Sequence, residues 1–219
     1  MLWMDLDMSE LDTAWQTTFE LAWEAWRAGT IPIGAVVSDR DGVVIATGRN
    51  RIFDPDCPPS QLANAWIAHA EVNALARISP GHYDDFGVTT TTEPCLMCAG
   101  AITMSLRGRV HVRYAVDDPV AGGIEAATHS PQGQRRDLRL HRLEHSGFVR
   151  FADALNLAES IRRAPDGLVA AHYRSHRPDL FSCAVELGSV LRHFLFTDIA
   201  LEQVLGKVEA VLHKHTDFQ

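Results

Sequence analysis

His69-Ala70-Glu71 and, further on, Val88-Thr89-Thr90-Thr91-Thr92-Glu93-Pro94-Cys95-Leu96-Met97-Cys98-Ala99-Gly100-Ala101-Ile102 are the stretches from which the rest of the chain can be read. Residues 88–92 are β-branched throughout and predict a strand. Residues 99–106 predict a helix, with Glu93-Pro94 at the junction. Cys95 and Cys98 are then expected in the first turn of that helix, three residues apart and on one side. A helix N-terminus carries partial positive charge, which favours thiolates. His69 and Glu71 are expected to open a second helix over residues 70–78, ended by Ser79-Pro80-Gly81. Two helix starts would converge on one point.

The residue types at that point suit a metal. His69, Cys95 and Cys98 are three zinc ligands that leave the fourth tetrahedral position open, as catalytic sites do. Zinc in such a site lowers the pKa of bound water to roughly 7. Glu71 is not needed as a ligand and is the candidate carrier of protons between water and a leaving amine. Two plainer readings explain less. A redox pair at Cys95-x-x-Cys98 accounts for neither Pro94 nor His69-Ala70-Glu71. A structural zinc knuckle calls for four protein ligands, and the other thiols, Cys57 and Cys183, form no second Cys-x-x-Cys.

The set H-x-E…P-C-x-x-C is the signature of zinc deaminases that act on nucleobases. Residues 31–114 resemble the cytidine deaminase-like superfamily, in particular the branch holding bacterial guanine deaminases and tRNA adenosine deaminases. The resemblance is carried by Ile31-Pro32-Ile33-Gly34-Ala35-Val36-Val37, Gly48-Arg49-Asn50-Arg51, His69-Ala70-Glu71-Val72-Asn73-Ala74-Leu75 and residues 92–102. It implies a three-layer α/β/α fold around a mixed five-stranded sheet. It also implies that Asn50 hydrogen-bonds the base or sugar, that the Ala70 backbone contacts the base, and that chains associate as homodimers.

The sequence departs from the family in two places. Residues 52–68 form a longer link than usual before His69, and they are expected to border the pocket as a wall or lid stiffened by Pro58-Pro59. Asn73 is reminiscent of pyrimidine-type members, whereas Glu-Pro-Cys-x-Met-Cys-x-Gly-Ala-Ile is reminiscent of the purine side. The expected function is zinc-dependent hydrolytic deamination of a free nucleobase or nucleoside, guanine or guanosine-like. The alternatives are tRNA adenosine deamination and a cytosine- or cytidine-type reaction.

Charge weighs against nucleic acid. The net charge of the 219 residues is −8. Residues 1–60 hold four Lys/Arg against ten Asp/Glu, while residues 100–163 hold ten Arg against seven Asp/Glu. Arg135, Arg136, Arg139 and Arg142 make one small basic group, interrupted by Asp137 and read as a solvated face or as intersubunit pairing. There is no apolar run of membrane-spanning length. The acidic start, Met1-Leu2-Trp3-Met4-Asp5-Leu6-Asp7, is unlike a secretory signal, and two thiolate ligands suit a reducing compartment, so a cytoplasmic location is expected.

The remaining elements follow from periodicity. Ser9 is expected to cap a helix with the apolar stripe Leu11, Trp15, Phe19, Ala22 and Trp26, ended by Gly29. Its tryptophans are read as core. Residues 33–38 and 43–47 predict a hairpin across Asp39-Arg40-Asp41-Gly42. Strands are expected at 110–114 and 138–143, and helices at 151–162, 183–196 and 199–213, with a break at Ala164-Pro165-Asp166-Gly167. The expected organisation is a deaminase domain at 1–163 and a C-terminal helical extension at 164–219, packed on the core or on a neighbouring subunit. The histidines of the extension have no convincing partner set, so no second metal is expected.

Overall fold

The structure is a computed structural model that describes residues 5–80 and 85–215. Gly81, one of the expected helix-ending residues, and the first four residues lie outside those described.

In chain order the elements are α1 (Thr13–Arg27), β1 (Gly34–Ser38), β2 (Val44–Arg49), α2 (Ala70–Leu75), β3 (Asp85–Thr92), α3 (Leu96–Ser105), β4 (Arg109–Val116), α4 (Ile124–Thr128), α5 (Pro131–Arg135), β5 (Leu138–Arg142), α6 (Ser146–Arg163), α7 (Leu168–His176), α8 (Pro178–Leu191) and α9 (Glu202–Lys214). The five strands form one mixed sheet in the order β2-β1-β3-β4-β5. β1 runs antiparallel to both β2 and β3, while β3, β4 and β5 are parallel. The family's expected sheet is therefore present, with α1 and α6 on one face and α2, α3 and α4 on the other.

The hairpin and the first helix show how local sequence sets these elements. Asp39 accepts from the backbone N–H groups of Asp41 and Val43 at 3.0 and 2.9 Å, and Gly42 takes φ +81°, so the turn is closed by its own residues. α1 is capped by Asp12, which accepts from the Trp15 N–H at 3.0 Å. Ser9 instead lies in a short 3₁₀ turn, Met8–Glu10, itself capped by Asp7. Gly29 closes the helix with φ +74°.

The stripe of α1 is core. Trp15, Phe19, Trp23 and Trp26 are all at most 3% exposed. Burial of each such side chain contributes roughly 1.5–3 kcal/mol, so this face must be covered on every side. The sheet covers part of it, and the C-terminal helices cover the rest. Trp23 Nε1 donates to the Ile199 carbonyl at 2.8 Å, and Trp26 Nε1 to that of Leu191 at 3.3 Å. Leu155, Leu157, Leu180, Leu187, Val204, Val208 and Leu212 share one cluster with them. Residues beyond 163 thus complete the same core that α1 and α6 begin.

Several boundaries differ from expectation. α2 stops at Leu75, short of Ile78, because Ala76 and the turn after it close the helix. The helix expected at 151–162 begins at Ser146, where the His145 ring accepts from the Phe148 N–H at 3.4 Å. α4, α5 and α7 were not expected; all are short, with little periodicity to mark them. Among the described residues no helix is long and apolar enough to cross a membrane.

Candidate metal centre

His69 and Cys95 stand one residue before α2 and α3, in extended backbone, rather than inside the helices. Each occupies the capping position yet makes no side-chain cap bond. Their side chains are released from the helix they precede and turn toward each other. Cys98 lies in the first turn of α3 and is fully buried.

Two close approaches hold these helix starts in place. Gly48 on β2 lies so near α2 that a Cβ there would stand 2.3 Å from the Ala74 nitrogen and 2.4 Å from the Ala70 carbonyl oxygen. Beside α3, Gly123 N–H donates to the Pro94 carbonyl at 3.1 Å, and Glu93 accepts from the Asp118 N–H at 3.2 Å. Residues 117–123 are thereby pinned against the cysteine motif. Asp118 itself accepts from the N–H groups of Val120 and Ala121, an ordinary turn.

The His69 Nδ1 atom lies 3.4 Å from Cys98 Sγ and 3.7 Å from Cys95 Sγ, and the three donor atoms all fall within 4.8 Å of one another. Zinc–nitrogen and zinc–sulfur bonds of normal length at a tetrahedral angle place N and S about 3.5 Å apart. The donor set and its spacing therefore fit zinc. At Cys95 the electrostatics agree. The hydrogen bond from Cys98, followed by the one to His69, pulls the Cys95 thiol down to about 4. Cys98 is pushed up, first by donating to Cys95 and then by burial. The bond to Cys95 raises the His69 imidazole, against its burial.

Glu71 is 4% exposed. Its Oε1 accepts from Thr90 Oγ1 at 3.2 Å, and its Oε2 stands 3.4 Å from Cys98 Sγ. Burial pushes its carboxyl above the ordinary range. Thr90 was not singled out from sequence; it is one of four consecutive threonines, and only the strand's position beside α2 distinguishes it.

Asn50 is 1% exposed, and its Oδ1 accepts from Thr30 Oγ1 at 2.9 Å and from the Ile52 N–H at 3.1 Å. A backbone N–H can only donate, so the orientation of the amide is fixed. Asn50 and His69 line one cavity of about 180 Å³. Ala70 is fully buried, packs toward Gly48, and is not among the residues lining that cavity.

Two sequence expectations change here. Asn73 is not among the residues lining the cavity. It is fully buried, its Oδ1 accepts from the Leu62 N–H at 2.7 Å, and its Nδ2 donates to the carbonyls of Arg49 and Leu62 at 3.1 Å each. It fastens the 52–68 segment to β2. That segment in turn contributes no lining residue to the cavity beside His69. The wall comes instead from α6 and α7, through Asp153, Asn156, Ser160 and Tyr173. Sequence spacing gave no reason to join residues so far apart; the one hint is Asp153 inside an apolar run.

Residues 8–113 match the family model for the cytidine and deoxycytidylate deaminase zinc-binding region. That stretch of the chain belongs to this deaminase family. The chain is 31% identical over 126 residues to a tRNA(Ile)-lysidine synthase of Deinococcus radiodurans, an alignment covering 55% of this chain but 20% of the synthase. It is 27% identical over 165 residues to a tRNA-specific adenosine deaminase of Streptococcus pyogenes serotype M1, covering 73% of this chain and 88% of that one. Among solved structures it is similar to a guanine deaminase from Bacillus subtilis, with 33% identity, 54% of this chain and 69% of that chain covered, and a TM-score of 0.39.

Proposed function

We propose that this deaminase hydrolyses the exocyclic amine of a free nucleobase or nucleoside, a purine of guanine type in the first instance, with release of ammonia. The observation that carries the reading is Glu71, a buried carboxylate beside an open three-ligand set and hydrogen-bonded by Thr90. His69, Cys95 and Cys98 would hold zinc. Bound there, zinc supplies Lewis acidity, the property that lets water ionise near neutral pH.

The chain's own groups do the rest. Glu71 Oε2 takes one proton of the attacking water and passes it to a ring nitrogen, then takes the proton of the newly added hydroxyl and gives it to the amine as the C–N bond breaks and the carbonyl forms. Burial raises this carboxyl, which favours its holding the proton between transfers. Thr90 holds the other oxygen so that Oε2 keeps its aim. Asn50, with Oδ1 committed to Thr30 and Ile52, has Nδ2 left to donate to a ring nitrogen or carbonyl of the substrate.

The size and charge of the cavity favour a small ligand. About 180 Å³ is below the ~300–1,000 Å³ of drug-sized sites. Two of the four arginines of the basic group are already paired, Arg139 with Asp137 at 2.8 Å and Arg142 with Asp117 at 2.5 Å, which leaves little free charge for a phosphate backbone. Ammonia release from a panel of purine and pyrimidine bases, nucleosides and a tRNA anticodon stem-loop tests the reading. Inosine formed in the stem-loop, with no ammonia from any small compound, would replace it with the tRNA adenosine reaction that the Streptococcus relative's name suggests. Cytosine or cytidine as the sole substrate would move it to the pyrimidine side.

Three further parts belong to the proposal. The chain works as a homodimer: Trp66, Ile67 and Leu96, which flank the ligands, are 78%, 52% and 68% exposed, and a second copy would cover them. Light scattering at micromolar concentration showing a monomer would remove this part. Residues 1–163 form the catalytic unit, and 164–219 support it. The two thiolate ligands support a reducing, cytoplasmic location.

A further inference from the structure

The wall that α6 and α7 give the cavity lies wholly beyond residue 113, where the family match ends. Its most unusual member is Asp153. It stands in Phe151-Ala152-Asp153-Ala154-Leu155, whose other four residues are at most 6% exposed. The helix period that buries those neighbours turns Asp153 toward the cavity it shares with His69 and Asn50. Tyr173 on α7 donates its hydroxyl to Asp153 Oδ1 at 2.7 Å. Asp153 Oδ2 makes no hydrogen bond among the described residues. One oxygen is clamped, and the other is a bare acceptor in a partly desolvated cleft. Such an acceptor carries a cost unless something donates to it.

Burial is the largest influence on this carboxyl and raises it. The Tyr173 bond and the charges of Arg177 and Arg150 oppose that, and Asp117 adds to it. The position is therefore not explained by stability, because a neutral side chain of the same shape would be tolerated better. Among the residues lining the cavity, His69 is the only basic one, while Asp117, Asp118 and Asp153 are carboxylates.

We propose that Asp153, positioned by Tyr173, determines specificity by accepting a hydrogen bond at Oδ2 from an N–H or O–H group of an uncharged ligand whose amine lies at Glu71. The inference deepens the deaminase reading and rests on it. The donor is either a ring N–H, which only a free base has, or a ribose hydroxyl, which only a nucleoside has. Both present the same chemistry to a carboxylate. A phosphate does not, since it brings charge of the same sign and no dependable donor. A neighbouring cavity of about 400 Å³ shares Asp153 and Tyr173 and carries Arg142, His172 and Arg177, so monophosphates are the competing ligands to include.

The test uses the zinc-loaded full chain, with Asp153→Asn and Tyr173→Phe. Ammonia release is measured on free bases, nucleosides, 2′- and 3′-deoxynucleosides and monophosphates. Binding of the same compounds is measured by calorimetry on Glu71→Gln with and without Asp153→Asn. A lost hydrogen bond to a charged acceptor predicts a rise in KM and Kd of about 10–100-fold on the preferred compound, with kcat changed much less. Tyr173→Phe falls between wild type and Asp153→Asn. If the loss appears only with free bases, the donor is the ring N–H. If wild type loses as much when one sugar hydroxyl is removed, the donor is that hydroxyl.

Asp153→Asn keeps an acceptor for Tyr173. A group whose folded pKa is raised stabilises the fold only at low pH and loses that contribution as pH rises through the folded value. At pH 7 the thermal midpoint of Asp153→Asn is therefore expected at or above wild type. A lowered midpoint with kcat and KM damaged together on every compound would make Asp153 structural and overturn the proposal, as would preferential turnover of a monophosphate. Unchanged KM and Kd in an active variant would overturn it and leave the deaminase reading intact. Asp153-dependent binding without ammonia release from any compound would uphold the recognition role and remove the deaminase reading. Neither binding nor release would overturn both.

Discussion

Glu71 and Asn73 are two residues apart on one short helix, both buried, and opposite in kind. Glu71 has one oxygen held by Thr90 and the other beside Cys98. Glu71→Gln keeps the shape and the Thr90 contact but removes the carboxylate proposed to carry the proton. It is expected to retain about one zinc per chain by metal analysis while the turnover rate falls on the order of 10²–10⁴-fold. A variant retaining a tenth of the wild-type rate would show that another group moves the proton. Asn73 spends its amide on the backbone of Arg49 and Leu62. Asn73→Ala removes three part-buried hydrogen bonds to the backbone and is expected to cost about 1–3 kcal/mol, read as a lower midpoint in urea. Its presence in the His-Ala-Glu-x-Asn pattern looked like a clue to the base, because the pattern shows which residue stands there and not what its amide faces.

At the scale of elements, the metal centre depends on where α2 and α3 begin. Gly48 allows α2 to lie directly on β2. Gly48→Ala puts a methyl group about where backbone atoms of Ala70 and Ala74 already are, so α2 must move and carry His69 and Glu71 with it. Displaced ligands and their supports typically weaken metal binding by about 10–100-fold, and competition against a chromophoric chelator measures this. Gly206→Ala is the control. It lies inside α9 with nothing within 4 Å of the added Cβ, and a gain of about 0.5–1 kcal/mol is expected there. If both changes left zinc affinity alone, the close approach of β2 and α2 would not be what aims His69.

Across the whole molecule, the C-terminal helices are part of the fold's interior. Trp23 and Trp26 of α1 hydrogen-bond to the carbonyls of Ile199 and Leu191, and the large core cluster extends from Leu6 to Leu212. A chain ending at Arg163 would expose α1 and α6 along their apolar sides and is expected to be insoluble or to lack cooperative thermal unfolding. Soluble, cooperatively folding residues 1–163 would show instead that the last three helices are an accessory. Removing zinc with a strong chelator is expected to lower the thermal midpoint of the full chain, since a ligand that binds only the folded state stabilises it by mass action.

The sequence determined the sheet's central strand and the residues brought together at the metal centre, His69, Glu71, Cys95 and Cys98. Each is a local pattern: a β-branched run, a helix start, and ligand types at fixed spacing. It placed the hairpin turn and most of the helices for the same reason, though their ends shifted by a few residues wherever a cap such as Asp12 outcompeted Ser9. Only the tertiary structure decided what faces the metal site. The 52–68 segment looked like its wall because it is adjacent in sequence. The lining came from Asp153 and Tyr173, about a hundred residues from His69 along the chain, because α6 packs over β3 and β4 and brings α7 with it. Packing of that kind depends on the summed burial of many apolar side chains, and no short stretch of sequence records which polar residue the packed helices will turn into the cleft.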